Sequence, residues 1–187
     1  MKVLLTGCAG FIGFHLSLLL LKKNIQVFGI DNINDYYDVK LKKDRVKLLK
    51  KYKKFSFFKV DLINKNRVNN IVEKNRLKFI IHLAAQAGVR YSIENPATYL
   101  RNNLEVFFNI LEIAKNNSVK HLVFASTSSV YGENNNFPLD ENEKTSQPLN
   151  FYAATKKSNE VMAHSYSHIF KLPCTALRFF TVYGPYG

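Results

Sequence analysis

The feature that most constrains the fold of this chain is its opening, Lys2-Val-Leu-Leu-Thr-Gly-Cys-Ala-Gly-Phe-Ile-Gly13, where an apolar run breaks into glycines and resumes as a Leu-rich stretch. That order predicts strand, tight loop and helix. Gly7, Gly10 and Gly13 stand at a spacing that permits a sharp turn, close backbone approach to a pyrophosphate and close packing of helix on strand. Free N–H groups and the positive dipole end at the helix start then face the anion. A second apolar run at 25–30 ends in Asp31, about 20 residues past the loop, where a carboxylate accepts from a ribose 2′-hydroxyl. A 2′-phosphate would meet that negative charge, so the pattern favours NAD over NADP.

The rest of the chain repeats the alternation. Further strands are predicted at 55–60, 79–83, 121–125 and 174–180, and helices at 40–54, 64–75, 96–117 and 151–171. Pro96 suits a first helical turn. An Asn- and acid-rich stretch at 133–150 has no periodicity and reads as a loop, as does the end from Tyr183 to Gly187. Strand alternating with helix implies an α/β doubly wound parallel sheet, a Rossmann fold with strand order 3-2-1-4-5-6 and ligands at the carboxyl ends of the strands. Asp61, just past the third strand, suits either an adenine amino group or a helix N-cap. His82 sits inside a strand buried on both faces and reads as a satisfied core histidine.

Composition narrows the partners. With 187 residues and 47% hydrophobic content, the chain forms one domain, 1–187, with a sizeable core. The longest apolar stretch, 11–21, is well short of the ~20 residues a membrane span requires, so no membrane association is expected. Cys8 and Cys174 make no disulfide or metal pattern, and no metal is expected; with these thiols the chain is placed in the cytoplasm. The net charge of +13 is concentrated at 40–54. There, lysines surround an apolar stripe of Leu41, Leu48, Leu49 and Tyr52 and read as a solvated helix face. No aromatic platform is interleaved with them, which argues against nucleic acid.

The chemistry is predicted in the second half. Tyr152-Ala-Ala-Thr-Lys156 places a phenol and an ammonium roughly 6 Å apart along one helix face. A cation so near favours phenolate and lowers the phenol pKa, fitting Tyr152 to be a general base towards a substrate hydroxyl. Lys156 also reaches a nicotinamide ribose, and Thr127, at the end of the fifth strand, offers a hydroxyl to share the moving proton.

Together, Thr6-Gly-Cys-Ala-Gly-Phe-Ile-Gly13, Asp31-Asn32, Asp61-Leu62, His82-Leu-Ala-Ala-Gln86, Ser126-Thr127, Tyr152-x-x-x-Lys156 and Arg178-Phe-Phe180 resemble the extended short-chain dehydrogenase/reductase family of nucleotide-sugar epimerases and dehydratases. Within it, Asn34-Asp-Tyr-Tyr-Asp38, Ala85-Gln-Ala-Gly-Val-Arg-Tyr-Ser92 and Arg178-Phe-Phe-Thr-Val-Tyr-Gly-Pro185 are most similar to the UDP-glucuronate 4-epimerases. The resemblance implies NAD over Gly7, Gly10, Phe11, Ile12, Gly13, Asp31, Asn32, Asp61, Leu62, Ala84, Ala85, Gln86, Asn103, Lys156 and Phe180. Tyr152 with Thr127 would be the proton relay, while Ser128, Ser129 and Thr181 would hold the substrate's carboxylate. The implied reaction is internal redox: Tyr152 takes the 4-hydroxyl proton as hydride leaves C4, the 4-keto sugar turns over, and hydride returns to the opposite face. Family dehydratases carry an Asp-Glu pair where this chain has Ser128-Ser129, which favours epimerisation over loss of water; the similarity to UDP-glucuronate 4-epimerases then implies conversion of UDP-glucuronate to UDP-galacturonate. A UDP-galactose/glucose-type enzyme and an NAD-binding module without turnover are the alternatives. The resemblance also implies a homodimer through the helices at 96–117 and 151–171, and a smaller C-terminal substrate domain, so an N-terminal fragment is expected.

Overall fold

A computed structural model describes residues 1–134 and 137–186. Asn135, Asn136 and Gly187, which the sequence reading leaves in loops, lie outside the described residues. In chain order the elements are β1 (Lys2–Thr6), α1 (Phe11–Lys22), β2 (Gln26–Asp31), α2 (Val39–Leu49), β3 (Phe55–Lys59), α3 (Lys65–Asn75) and β4 (Phe79–His82). There follow α4 (Val89–Glu94), α5 (Pro96–Tyr99), a π-helical segment (Leu100–Glu105), α6 (Val106–Asn116), β5 (His121–Thr127), a 3₁₀ turn (Ser128–Tyr131), α7 (Phe151–Phe170) and β6 (Cys174–Phe179). The strands form one parallel sheet ordered β3-β2-β1-β4-β5-β6, the Rossmann order expected from the sequence.

Period-two alternation divides the strand side chains between two cores. Leu4 faces a core shared with Phe28, Ile80 and Phe124 under α3, α6 and α7; Leu5, its neighbour, faces Phe14, Val27 and Leu49 under α1 and α2. Apolar residues on both sheet faces explain why the inner strands read as unbroken hydrophobic runs. The order reverses between β1 and β4, and the loops at their carboxyl ends diverge there, leaving the crevice in which ligands of such sheets lie.

Several details differ from the sequence reading: α2 ends at Leu49 rather than running to 54, and α4 stands where no helix is expected. The predicted helix at 96–117 is one helical run, but its middle widens into the π-helical segment, an insertion of the kind found beside functional sites. Asn64, not Asp61, caps α3, its side chain accepting the Arg67 N–H at 3.1 Å. Asp61 instead accepts the Ile63 N–H at 3.0 Å and pairs with Arg101 at 3.0 Å. Among the described residues, no helix is long and apolar enough to cross a membrane.

Candidate active site

The loop joining β1 to α1 is built as its glycines require. Gly7 adopts φ +73°, and a Cβ there would stand 2.8 Å from the Ala84 nitrogen. At Gly13 a Cβ would meet the Gly7 carbonyl oxygen at 2.0 Å, so helix and loop close only without a side chain. Gly10 is the N-cap of α1 and has no side-chain cap to offer, leaving first-turn N–H groups directed at whatever occupies the loop. Asp31, at the end of β2, accepts the Ala9 N–H at 3.0 Å through Oδ2 and the Ile33 N–H at 2.9 Å through Oδ1. Those bonds fix its carboxylate beside the loop.

Around this loop opens a cavity of about 550 Å³. Its wall brings together Gly7, Gly10, Phe11, Ile12 and Gly13, then Asp31 and Asn32, Asp61 and Leu62, and Ala84, Ala85 and Gln86. Thr127, Tyr152, Lys156 and Phe180 line the same cavity. Groups separated by more than a hundred residues in sequence thus share one space at the carboxyl ends of the strands.

Four of the residues singled out from sequence lie elsewhere. Asn103 is buried behind the wall, where its amide donates to the Gln86 carbonyl at 3.0 Å and Thr155 Oγ1 at 3.0 Å and its oxygen accepts the Gln86 N–H at 2.8 Å. It clamps a wall residue to α7, with its polar atoms all engaged. Ser128 and Ser129 lie on the 3₁₀ turn and do not line the cavity; the turn's N-cap is Thr127, whose Oγ1 accepts the Ser129 N–H at 3.2 Å. Thr181 is exposed beyond β6.

The electrostatics correct the sequence reading of Tyr152. Lys156 does not lower the phenol pKa. Burial raises it above its ordinary value, and the Thr127 hydroxyl draws it partly back. The Lys156 ammonium is aimed at the Ala125 carbonyl, 3.0 Å away, and its own burial lowers its pKa to about 8. His82 is the core histidine anticipated: Nδ1 lies 2.8 Å from Thr6 Oγ1, and burial, aided by the Lys156 charge, lowers its pKa to about 3.

Several residues that build the site went unread in the sequence. Lys42 and Arg45 of α2 are 4% and 2% exposed and line the cavity with Tyr37; the i, i+3 spacing of the pair was the available signal. Tyr99 is fully buried, its hydroxyl reaching the Ala87 and Gly88 carbonyls at 2.8 and 2.5 Å while its ring meets the Tyr152 ring edge-on at 6.1 Å. Glu160, one turn beyond Lys156, accepts from Ser126 Oγ at 2.6 Å and from Arg178 Nε and Nη2 at 3.0 and 3.1 Å. That knot joins the ends of β5 and β6 to α7.

A Rossmann sheet whose first crossover is a glycine loop, with a buried Tyr-x-x-x-Lys pair opening into the same crevice, defines the short-chain dehydrogenase/reductase class. Residues 4–187 match the family model for GDP-mannose 4,6 dehydratase, and the chain belongs to that family. It is 52% identical over 187 residues to protein CapI of Staphylococcus aureus, covering 100% of this chain and 56% of that protein. It is 48% identical to a probable UDP-glucuronate 4-epimerase of Rhizobium meliloti, covering 100% of this chain and 55% of that one. The structure superposes with a TM-score of 0.92 and 37% identity on UDP-glucuronic acid 4-epimerase from Bacillus cereus in complex with UDP-glucuronic acid and NAD, over 99% of this chain and 58% of that one. The chain therefore spans little more than half the length of the relatives it matches.

Proposed function

We propose that this chain is the NAD-binding and catalytic part of a UDP-sugar 4-epimerase that interconverts UDP-glucuronate and UDP-galacturonate. The observation that carries the proposal is the convergence of Thr127, Tyr152 and Lys156 on the cavity that also contains the glycine loop and Asp31. Relatives in Rhizobium meliloti and Bacillus cereus bearing the epimerase name support the choice of sugar. The wall fits NAD: uncapped amides at the start of α1 suit the pyrophosphate, Asp31 suits the adenosine ribose, and Lys156 suits the nicotinamide ribose. Bound there, NAD supplies the acceptor and donor of hydride.

The chain's own residues supply the rest. Tyr152 takes the proton of the sugar 4-hydroxyl and later returns it, and the Thr127 hydroxyl stabilises the phenolate between the two steps. Ser128, Ser129 and Thr181 follow the ends of β5 and β6 outside the cavity wall, and we assign their hydroxyls to a hexuronate carboxylate reaching beyond that wall. We assign the protein to the cytoplasm, and to a homodimer formed by the helices at 96–117 and 151–171. Leu100, Phe108, Val161 and Ile169 leave apolar surface exposed on those helices; a monomer in sedimentation at micromolar concentration would remove the dimer.

The test is incubation with NAD and UDP-glucuronate. UDP-galacturonate is expected, and Tyr152→Phe is expected to abolish it while NAD stays bound. Turnover retained by Tyr152→Phe would remove the phenol from the mechanism. Bound NAD with no product from the unaltered chain would favour a binding module without turnover.

A further inference from the structure

Because α2 ends at Leu49, Lys50, Lys51, Lys53 and Lys54 lie in the turn that leads into β3, at the amino end of the sheet. The same composition recurs along that end. Each connection from helix to strand, α1–β2, α2–β3, α3–β4, α6–β5 and α7–β6, carries lysine or arginine, and none carries aspartate or glutamate. At the other end the bias reverses. The connections leaving the strands contain Asp35, Asp38, Asp61, Asp140, Glu141 and Glu143, and Lys144 is their one cation. The surplus behind the net charge of +13 is therefore concentrated on the face opposite the cavity.

At the centre of that face three lysines stand abreast. Lys2 and Lys78 lie two positions before the paired Leu4 and Ile80, and Lys78 and Lys120 one position before the paired Phe79 and His121. With Arg76 and Phe79 they surround an open cavity of about 230 Å³. Like charges directly opposite on neighbouring strands repel, and among the described residues none of these four cations has a carboxylate oxygen within 4.0 Å. Helix ends compensate in part: Lys2 Nζ donates to the Asn75 carbonyl at 3.3 Å, and Lys78 Nζ to the Asn117 carbonyl at 2.6 Å. A helix C-terminus carries only about half an elementary charge, whereas the turn after α2 alone holds Lys50, Lys51, Lys53 and Lys54. The face thus keeps spare donors and a mutual repulsion that its own carbonyls do not offset.

We propose that this face is a docking surface for an anionic lipid bilayer, with the lysine row and the flanking turns seated on phosphate headgroups. No apolar span is needed, since lysines close to an anionic leaflet are each attracted to it. The form of the face fits a bilayer better than a nucleic acid. It is broad, its turns spread over six strands or about 24 Å, and its connections offer lysines, with Arg76 the one guanidinium able to make forked contacts. Repulsion of the acidic connections at the far end selects one orientation. Docked in that way, the molecule holds its cavity away from the bilayer and open to water, whichever sugar the cavity takes.

The test is co-sedimentation of the chain with vesicles of phosphatidylcholine alone and of phosphatidylcholine and phosphatidylglycerol at about 2:1, each at about 0.05 and 0.5 M salt. Binding is expected to the mixed vesicles at low salt and to be lost at high salt. Lys53, Arg76 and Lys120 are exposed, and the triple variant Lys53→Glu, Arg76→Glu, Lys120→Glu is expected to bind at least about tenfold more weakly. A control of equal charge change at other exposed lysines, Lys40→Glu, Lys43→Glu, Lys144→Glu, is expected to bind within about twofold of the unaltered chain. Circular dichroism and thermal melts confirm that both variants are folded. Absence of binding to the mixed vesicles overturns the proposal, as does an equal loss in the control, which would make the attraction one of net charge alone. Tighter binding to a short DNA duplex than to the vesicles, at equal phosphate concentration and salt, overturns the choice of a bilayer.

Discussion

Lys156 shows how one residue of the proposed site can act against stability. Among the described residues its buried ammonium has a single carbonyl partner, and burial brings its pKa down to about 8. An ordinary lysine in the unfolded chain titrates near 10.4, so between those values the unfolded state binds more protons and stability rises with pH. Below pH 8 the folded protein carries the full cost of the charge. Lys156→Met, of similar length and without charge, is therefore expected to stabilise the chain at pH 7 by about 2 kcal/mol, or roughly 5 °C in Tm. The advantage should shrink as pH rises from 8 towards 10.4. Thermal melts at pH 7 and pH 10 check this; a variant less stable at pH 7 would show that the ammonium is held by more than Ala125. His82 is the opposite case, a histidine kept neutral in a hydrogen bond to Thr6 and left out of the chemistry.

At the scale of elements, the site depends on how α7 is seated against the strand ends. Glu160 links Ser126, adjacent to Thr127, with Arg178, two residues before Phe180, while Lys157 ties the same carboxylate to Thr145. The Glu160–Arg178 pair is mostly buried, with 10% and 18% of the side chains exposed. Glu160→Ala leaves the guanidinium without its counter-charge, and urea unfolding is expected to show a loss of about 3 kcal/mol; a change within error would mean that its other partners, the Glu141 carbonyl at 3.0 Å and the Tyr131 ring at 4.9 Å, suffice to hold Arg178. The strands, the glycine loop and the Tyr-x-x-x-Lys helix were legible because each is a local pattern: an apolar run stopping at glycine or an acid, or two side chains one helical turn apart. The inward turn of Lys42 and Arg45 was hidden by the abundance of lysine around them. The π-helical segment, the clamp formed by Asn103 and the turn of Ser128 and Ser129 arise from contacts between distant segments, which no window of sequence contains.

At the scale of the whole molecule, the Rossmann sheet gathers the carboxyl ends of its strands around one cavity that carries the groups the proposed proton and hydride transfers ask of this chain: an anion-binding loop, a ribose carboxylate, a buried base with a hydroxyl nearby and a cation. What makes the reaction distinctive is its closure, since the hydrogen removed from C4 goes back to C4. The most direct measurement follows that hydrogen. With NAD and UDP-glucuronate carrying deuterium at C4, the account predicts that UDP-galacturonate formed in ordinary water retains the label at C4. Loss of the deuterium to solvent would contradict it, because a proton removed from carbon and exchanged with water is not a hydride held between two faces of one sugar.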